Sequence, residues 1–451
     1  MTSCIFIFTR DLRLEDNIGL NYCAEKYDII IPLFIITETQ VSENNDYRSL
    51  NAISFMKKSL EKLFEKTNKK LNIFYIKKNN YENVLNNLIY EQKISSIIIN
   101  KDYSPFSVKR EDIIKEICKK NKILFESHHD HLLTQDFIYN SSGEYYKKFT
   151  PFYDKVIKTN IKQPTTHKDI LKKLKSIKKD NIKTLGKLKT IDIKIPYEID
   201  YEKLKDVIVK NTDKSFISNY DAIKYELEQE RSRLSVYLKF GIISTRQVYN
   251  LTKKYKKFTR SLFWRDFYYT YYYHNPKALE DGDGWANIKN WPADKKNLEK
   301  WKQGKTGFPI IDASMNQLNK EGFMPNRSRM LVASFLTKLL LIDWKDGEKY
   351  FSQQLLDIDW VINNANWQNE VSVAKHSQPY FRVKNPWIQT KKYDPECLYI
   401  KKWIPELKEI EAKDILNWDK TYKKYKDKYI QPIINYDDQK KKYISYVKKR
   451  T

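Results

Sequence analysis

The first third of the chain alternates between two hydrophobic periods. Continuous apolar runs at Cys4–Phe8, Ile29–Ile36, Leu71–Ile76, Ile94–Ile99 and Ile123–Phe125 predict strands buried on both faces. Between them, apolar residues recur at helical spacing. Within Arg48–Lys66, for instance, Leu50, Ile53, Met56, Leu60, Leu63 and Phe64 share one face. Strands alternating with helices of this length predict a parallel sheet, a Rossmann-like α/β domain over residues 1–135.

Residues 157–200 break the pattern. Lys recurs every second or third position and apolar periodicity is poor, which reads as a long surface connection within a linker spanning 136–200. From 201 to 451 strand-like runs vanish and helical patterns such as Ile310–Leu318 and Met330–Leu341 dominate, so an all-α domain follows the α/β one. All ten tryptophans lie between Trp264 and Trp418. The aromatic-lined site is therefore expected in the helical half.

Composition changes the picture in three ways. A chain of 451 residues, 41% hydrophobic and 14% aromatic, is long enough for at least two packed cores and is not disordered. The charge sum, 83 − 57 = +26, favours a polyanionic partner, although a Lys- and Asn-rich bias on solvated faces explains part of it. The longest apolar run, Ile29–Ile36, contains Pro32 and falls well short of the roughly 20 residues of a membrane span. No membrane association is expected. Cys4–Phe8 meets Arg10, Asp11 and Arg13 at once, unlike a signal peptide. Cys4, Cys23, Cys118 and Cys397 are widely spaced, which suits an intracellular, reducing compartment and argues against zinc, iron–sulfur clusters and disulfides.

Candidate chemistry begins with His128-His129-Asp130-His131, which invites a metal. With no second ligand set in the sequence, loop histidines at a sheet edge explain it better. There is no GxGxxG, Walker or GxSxG motif. In the helical half, Arg231-Ser232-Arg233-Leu234-Ser235 precedes an apolar run, Val236–Phe240. Ser232 or Ser235 could cap that helix, and the two arginines beside exposed amides would attract an anion. Trp264-Arg265-Asp266-Phe267, with Tyr268, Tyr269 and Tyr271–Tyr273, is either a stacking surface beside a cation or ordinary core. Gly304-Lys305-Thr306-Gly307-Phe308-Pro309, Asn326-Arg327-Ser328-Arg329-Met330 and Asp357-Ile358-Asp359-Trp360-Val361-Ile362-Asn363-Asn364 follow. Carboxylates in an apolar setting need partners, and Arg329 is the obvious one for Asp357.

Taken together these segments resemble the photolyase/cryptochrome family nearly end to end. Phe8–Leu14 with Asp16-Asn17 is close to the family's opening signature, and Thr150-Pro151-Phe152 matches its interdomain loop. Ser232–Ser235, Trp264–Phe267, Gly304–Pro309, Asp357–Asn364, Pro379-Tyr380-Phe381-Arg382 and Trp403–Leu407 then follow in family order. The resemblance, closest to class I cyclobutane pyrimidine dimer photolyases, implies that the helical domain binds FAD. It implies phosphate contacts from Tyr220 and from Ser232, Arg233, Leu234 and Ser235, with Arg265 beside them. Asp359 would meet the flavin or ribose, Arg329 and Asp357 would pair alongside, and Asn363 would face the flavin N5. Trp291, Trp344 and Trp367 match the family's electron relay. Trp264, Asn326, Arg327, Met330 and Lys224 match its contacts to the lesion.

The resemblance covers repair enzymes and photoreceptors alike. It implies light-driven repair of damaged DNA, by electron transfer from excited reduced FAD to a flipped-out cyclobutane dimer. Repair of the (6-4) photoproduct uses a histidine pair near Asn326, whereas this chain has no histidine between His274 and His376. Two departures qualify the dimer reading: Ser261 replaces a usual Glu, and Asn369 replaces a frequent second Trp. Alternatives are a cryptochrome-like photoreceptor, a photolyase of different lesion preference, and a non-catalytic flavin-bearing DNA-binding protein. A monomer is expected. Asn100-Lys101-Asp102-Tyr103 with Pro105 resembles the region that holds a second, antenna chromophore, whose identity stays open.

Overall fold

The computed structural model describes residues 1–177, 181–192, 199, 204, 206, 217, 220, 226–229, 231–284, 291–292, 294–377 and 382–448. The strands β1 (Ser3–Phe8), β2 (Ile29–Thr37), β3 (Asn72–Ile76), β4 (Ser96–Asn100) and β5 (Leu124–His128) form one sheet in the order β3-β2-β1-β4-β5, every pair parallel. The helices α1 (Ile18–Lys26), α2 (Leu50–Lys66), α3 (Tyr81–Glu91) and α4 (Pro105–Lys120) connect them. Local chemistry sets where each helix begins. Asn17, Ser49, Asn80 and Ser104 each accept a backbone N–H of the first turn, and Pro105 opens α4, where its missing N–H costs nothing.

The expected burial on both faces holds for β1, β2 and β4. It fails for β5. This is an edge strand, paired only with β4 among the described residues, and Leu124 is 63% exposed.

The opening motif is held by buried charge. Arg13 and Arg246 both pair with Asp130, at 2.5 and 2.8 Å, and Arg246 also pairs with Asp16 at 2.9 Å. Burial pushes the Asp130 carboxyl up, but Arg13 and Arg246 outweigh it and hold it below the usual range. Arg246 lies on α7 (Thr245–Thr252), behind α6 (Leu234–Phe240) and ahead of α8 (Lys256–His274). Between α6 and α7, Gly241 adopts φ 64°, and a Cβ there would stand 1.9 Å from the Arg10 carbonyl oxygen. Only glycine fits.

Compact units accordingly do not follow the boundary expected near 200. One consists of residues 1–217 with 233–276, and the other of 218–232 with 277–451. The Lys-rich connection is also more than a surface loop. Ile170, Leu174 and Leu185 are buried, Leu174 bridges to Ile30, and the Asn181 side chain accepts the Ile73 N–H at 2.8 Å. Among the described residues most of its lysines are exposed, but Lys173 is half-buried and donates to the Ala24 and Tyr27 carbonyls at 2.7 and 2.8 Å.

In the second unit, the principal helices are α9 (Lys295–Lys302), α10 (Pro309–Glu321), α11 (Asn326–Ser334), α12 (Trp344–Gln354), α13 (Trp360–Val371), α14 (Pro386–Tyr393) and α15 (Tyr436–Lys448). The expected Met330–Leu341 helix is interrupted: α11 gives way to a π-helical turn at Phe335–Leu339. The core gathers Trp301, Trp344, Trp367 and Trp418 with Phe308, Phe335 and Phe351. The basic tail contributes as well, since Tyr443 and Val447 of α15 are buried. Among the described residues, no helix is long and apolar enough to cross a membrane.

Candidate functional site

Helix α13 carries a polar face at helical spacing. Asp359 is its N-cap, accepting the Ile362 N–H at 3.2 Å, and Asn363 and Trp367 follow at successive turns. Asn363 donates its amide to Glu348 Oε1 at 2.9 Å, to the Glu348 carbonyl at 3.2 Å and to Ser352 Oγ at 3.3 Å. With both amide protons engaged, its Oδ1 remains as an acceptor. Beside this face, Arg329 of α11 donates to both carboxylate oxygens of Asp357, at 3.0 and 2.8 Å, and through Nε to the Met324 carbonyl at 2.8 Å. The pairing expected from sequence is present.

Along α11, Asn326 and Arg327 both approach the Met330 sulfur, at 3.8 and 3.9 Å, so these three residues share one patch. The Arg327 guanidinium lies over the Tyr393 ring at 5.0 Å. Trp344 and Trp367 sit in one apolar core, and Trp291 packs against its edge, half-buried and 6.1 Å from the Tyr446 ring. Tyr220 is described, Lys224 lies outside the described residues, and so do Pro379, Tyr380 and Phe381. Ser232 is half-buried, and Arg231 beside it donates to the Glu226 carbonyl. Burial pushes the Arg231 guanidinium down, with Tyr220 and Tyr399 pulling it back.

In the first unit, α6 starts at Leu234 behind Arg233, whose φ is 47°. Neither Ser232 nor Ser235 caps this helix, because the left-handed turn at Arg233 supplies the N-cap position without a side-chain bond. Ser235 stays exposed. Arg265 donates to the His131 carbonyl at 2.6 Å and meets the His131 ring, while lying over Tyr269 at 5.0 Å. His129 bonds the Tyr103 hydroxyl at 2.8 Å. His129 and His131 are thus spent on internal contacts, and burial, reinforced by Arg265 and Arg10, drives the His131 pKa well down.

The aromatic run divides. Tyr268, Tyr269, Tyr271 and Tyr272 are core, whereas Trp264 is half-buried and stacks on Phe149 of α5 (Phe149–Val156), centroids 3.6 Å apart and planes 7° apart. The sequence offered stacking or packing as alternatives. One face of this indole packs.

Sequence reasoning missed Glu348, which orients Asn363, and Phe149, which backs Trp264. Both partnerships join residues distant along the chain, and no spacing rule reveals them.

Two family models match. Residues 4–169 fit the DNA photolyase model, and residues 258–449 fit the FAD binding domain of DNA photolyase. The deoxyribodipyrimidine photo-lyase of Buchnera aphidicola subsp. Baizongia pistaciae is 36% identical, across 96% of each chain. Among solved structures, an archaeal photolyase from Sulfolobus tokodaii, determined with two FAD molecules, is 37% identical with TM-score 0.87, covering 99% of this chain and 100% of that one. A Synechocystis cryptochrome shares the fold at 21% identity and TM-score 0.86, covering 99% of each chain. The chain belongs to the DNA photolyase family.

Proposed function

We propose that this chain is a light-driven DNA repair flavoenzyme that splits cyclobutane pyrimidine dimers. The observation that carries the reading is the polar face of α13 set against a half-buried Arg329 paired with a buried Asp357, within a chain similar to a deoxyribodipyrimidine photo-lyase from end to end. When bound, reduced FAD would supply the light-excited one-electron donor that this chemistry needs.

The donor set fits such a cofactor. In the second unit, Arg231 with the hydroxyls of Tyr220 and Ser232 offers the cation and donors that a pyrophosphate needs; in the first unit Arg233, Ser235 and the Leu234 backbone offer the same kinds of group, whereas Arg265 is engaged by His131. Asp359 would accept from a ribose or ring N–H. Asn363, its amide already committed to Glu348, would offer Oδ1 to a protonated ring nitrogen. That bond favours a reduced flavin over an oxidised one. Arg329 would keep Asp357 paired, so that no bare carboxylate faces the anionic reduced ring.

On the DNA side, Trp264 would stack on an extruded pyrimidine with the face that Phe149 leaves open. In the second unit, the patch of Asn326, Arg327 and Met330 is a further candidate for DNA contact, and Lys224, a candidate by resemblance, lies outside the described residues. Trp367, Trp344 and Trp291 would carry electrons inward from the surface when the cofactor must be reduced. The second FAD of the Sulfolobus tokodaii protein supports a second chromophore in this chain as well.

The test is direct. Purified protein with bound flavin, reduced and lit with blue light, should restore the pyrimidine absorbance of an oligonucleotide carrying one dimer. Flavin binding with no repair on single- or double-stranded substrate would instead leave the photoreceptor reading.

A further inference from the structure

Arg260 lies one turn before Trp264 on α8, is exposed, and forms an ion pair with no carboxylate among the described residues. Its guanidinium is nevertheless held in place. It stacks over the Phe149 ring at 5.2 Å and the Tyr153 ring at 4.8 Å, both on α5. Phe149 in turn stacks on Trp264. A cation and an indole therefore share a single aromatic support.

Stacking leaves the N–H edges of a guanidinium free, and those edges match the two oxygens of a phosphodiester. It also orders a long side chain in advance, so less rotamer freedom is lost when an anion arrives. The neighbouring Ser261 does not compete for the same ligand, because its hydroxyl donates to the Phe258 carbonyl of its own helix at 2.7 Å. Nothing in the fold of α8 requires an arginine at an exposed, unpaired position. The net charge of +26 favours a polyanion as its partner.

We propose that Arg260 is a positioning contact to DNA. It binds the phosphodiester beside the nucleotide stacked on Trp264 and so fixes the register of the damaged strand on that indole. This rests on the repair reading, in which Trp264 receives the lesion.

The test is equilibrium binding in the dark, by fluorescence anisotropy, of flavin-loaded protein to a duplex with one dimer and to its undamaged twin, over about 50–200 mM salt. Arg260→Gln should weaken binding to the dimer duplex about tenfold at the lowest salt. It should also reduce the slope of log K against log salt by about 0.9, the effect of one phosphate contact. Arg260→Lys should recover the slope but not the full affinity. Tyr153→Leu, which loosens the support and leaves the charge, should lower affinity at unchanged slope. If Arg260→Gln keeps the wild-type slope and affinity while the wild type prefers damaged DNA, the proposal is overturned and the repair reading stands. If the wild type itself shows no preference for the dimer, the repair reading falls and the proposal with it.

Discussion

Asn363 donates its side-chain amide to Glu348 at 2.9 Å, and Glu348 is buried at 1% exposure. The carboxylate therefore decides which end of the Asn363 amide faces outward. Replacing Glu348 with Leu would remove the carboxylate acceptor of the Asn363 amide and leave it only the backbone carbonyl and Ser352 Oγ, at a cost of about 1–3 kcal/mol and with a weaker hold on its orientation. Glu348→Leu is expected to bind flavin yet lose its reduced form to air several-fold faster than the wild type. Glu348→Gln, which can still accept, should lie between. An unchanged reoxidation rate in the Leu variant would refute the orienting role.

Arg329 and Asp357 form a pair in which the carboxylate is almost fully enclosed, 3% exposed against 26% for the arginine. Removing the arginine leaves a buried charge alone, so Arg329→Ala should cost about 3 kcal/mol and give poorly folded, colourless protein. Denaturant midpoints and flavin absorbance measure both consequences. A yellow product of wild-type stability would show that the pair matters to neither.

Trp367 lies against Gly347 so closely that a Cβ there would stand 2.3 Å from the indole ring. Gly347→Ala should therefore cost about 1–3 kcal/mol by overpacking. Trp367→Phe keeps most of the volume but is harder to oxidise. It should nearly abolish light-driven flavin reduction by an external donor, yet repair dimers normally once the flavin is reduced chemically. Loss of repair in the pre-reduced variant would assign Trp367 to the pocket rather than to a relay.

Asp266 is fully buried, with Oδ2 accepting the Leu133 and Thr134 N–H groups and Oδ1 unbonded among the described residues. Burial pushes its pKa to about 7, against the opposing pull of Arg265 and the two N–H groups. Between about pH 4 and 7 the folded state thus holds a proton that the unfolded chain has released, and stability falls as pH rises through that window. Asp266→Asn, neutral at every pH, should be near neutral in effect at pH 5, stabilising at pH 8, and should flatten this part of the profile. Melting temperatures across the range decide it. An unaltered slope would mean that the carboxylate is ionised throughout.

Much was legible in the residues alone. Periodicity gave the parallel α/β sheet and the helical second half, since strands buried on both faces and amphipathic helices leave different spacings in the chain. The Arg329–Asp357 pairing was legible because a carboxylate among apolar neighbours demands a cation. What only the tertiary structure decided are the partnerships across long separations: Asp130 between Arg13 and Arg246, Glu348 behind Asn363, Phe149 on Trp264. It also decided that residues 233–276 belong with the sheet, and that Arg233, not a serine, heads α6. The physical reason is common to them all. Period and composition report the environment each residue needs, burial or water, charge or its absence. Which partner meets that need depends on the packing of elements far apart in sequence, and local pattern carries no record of it.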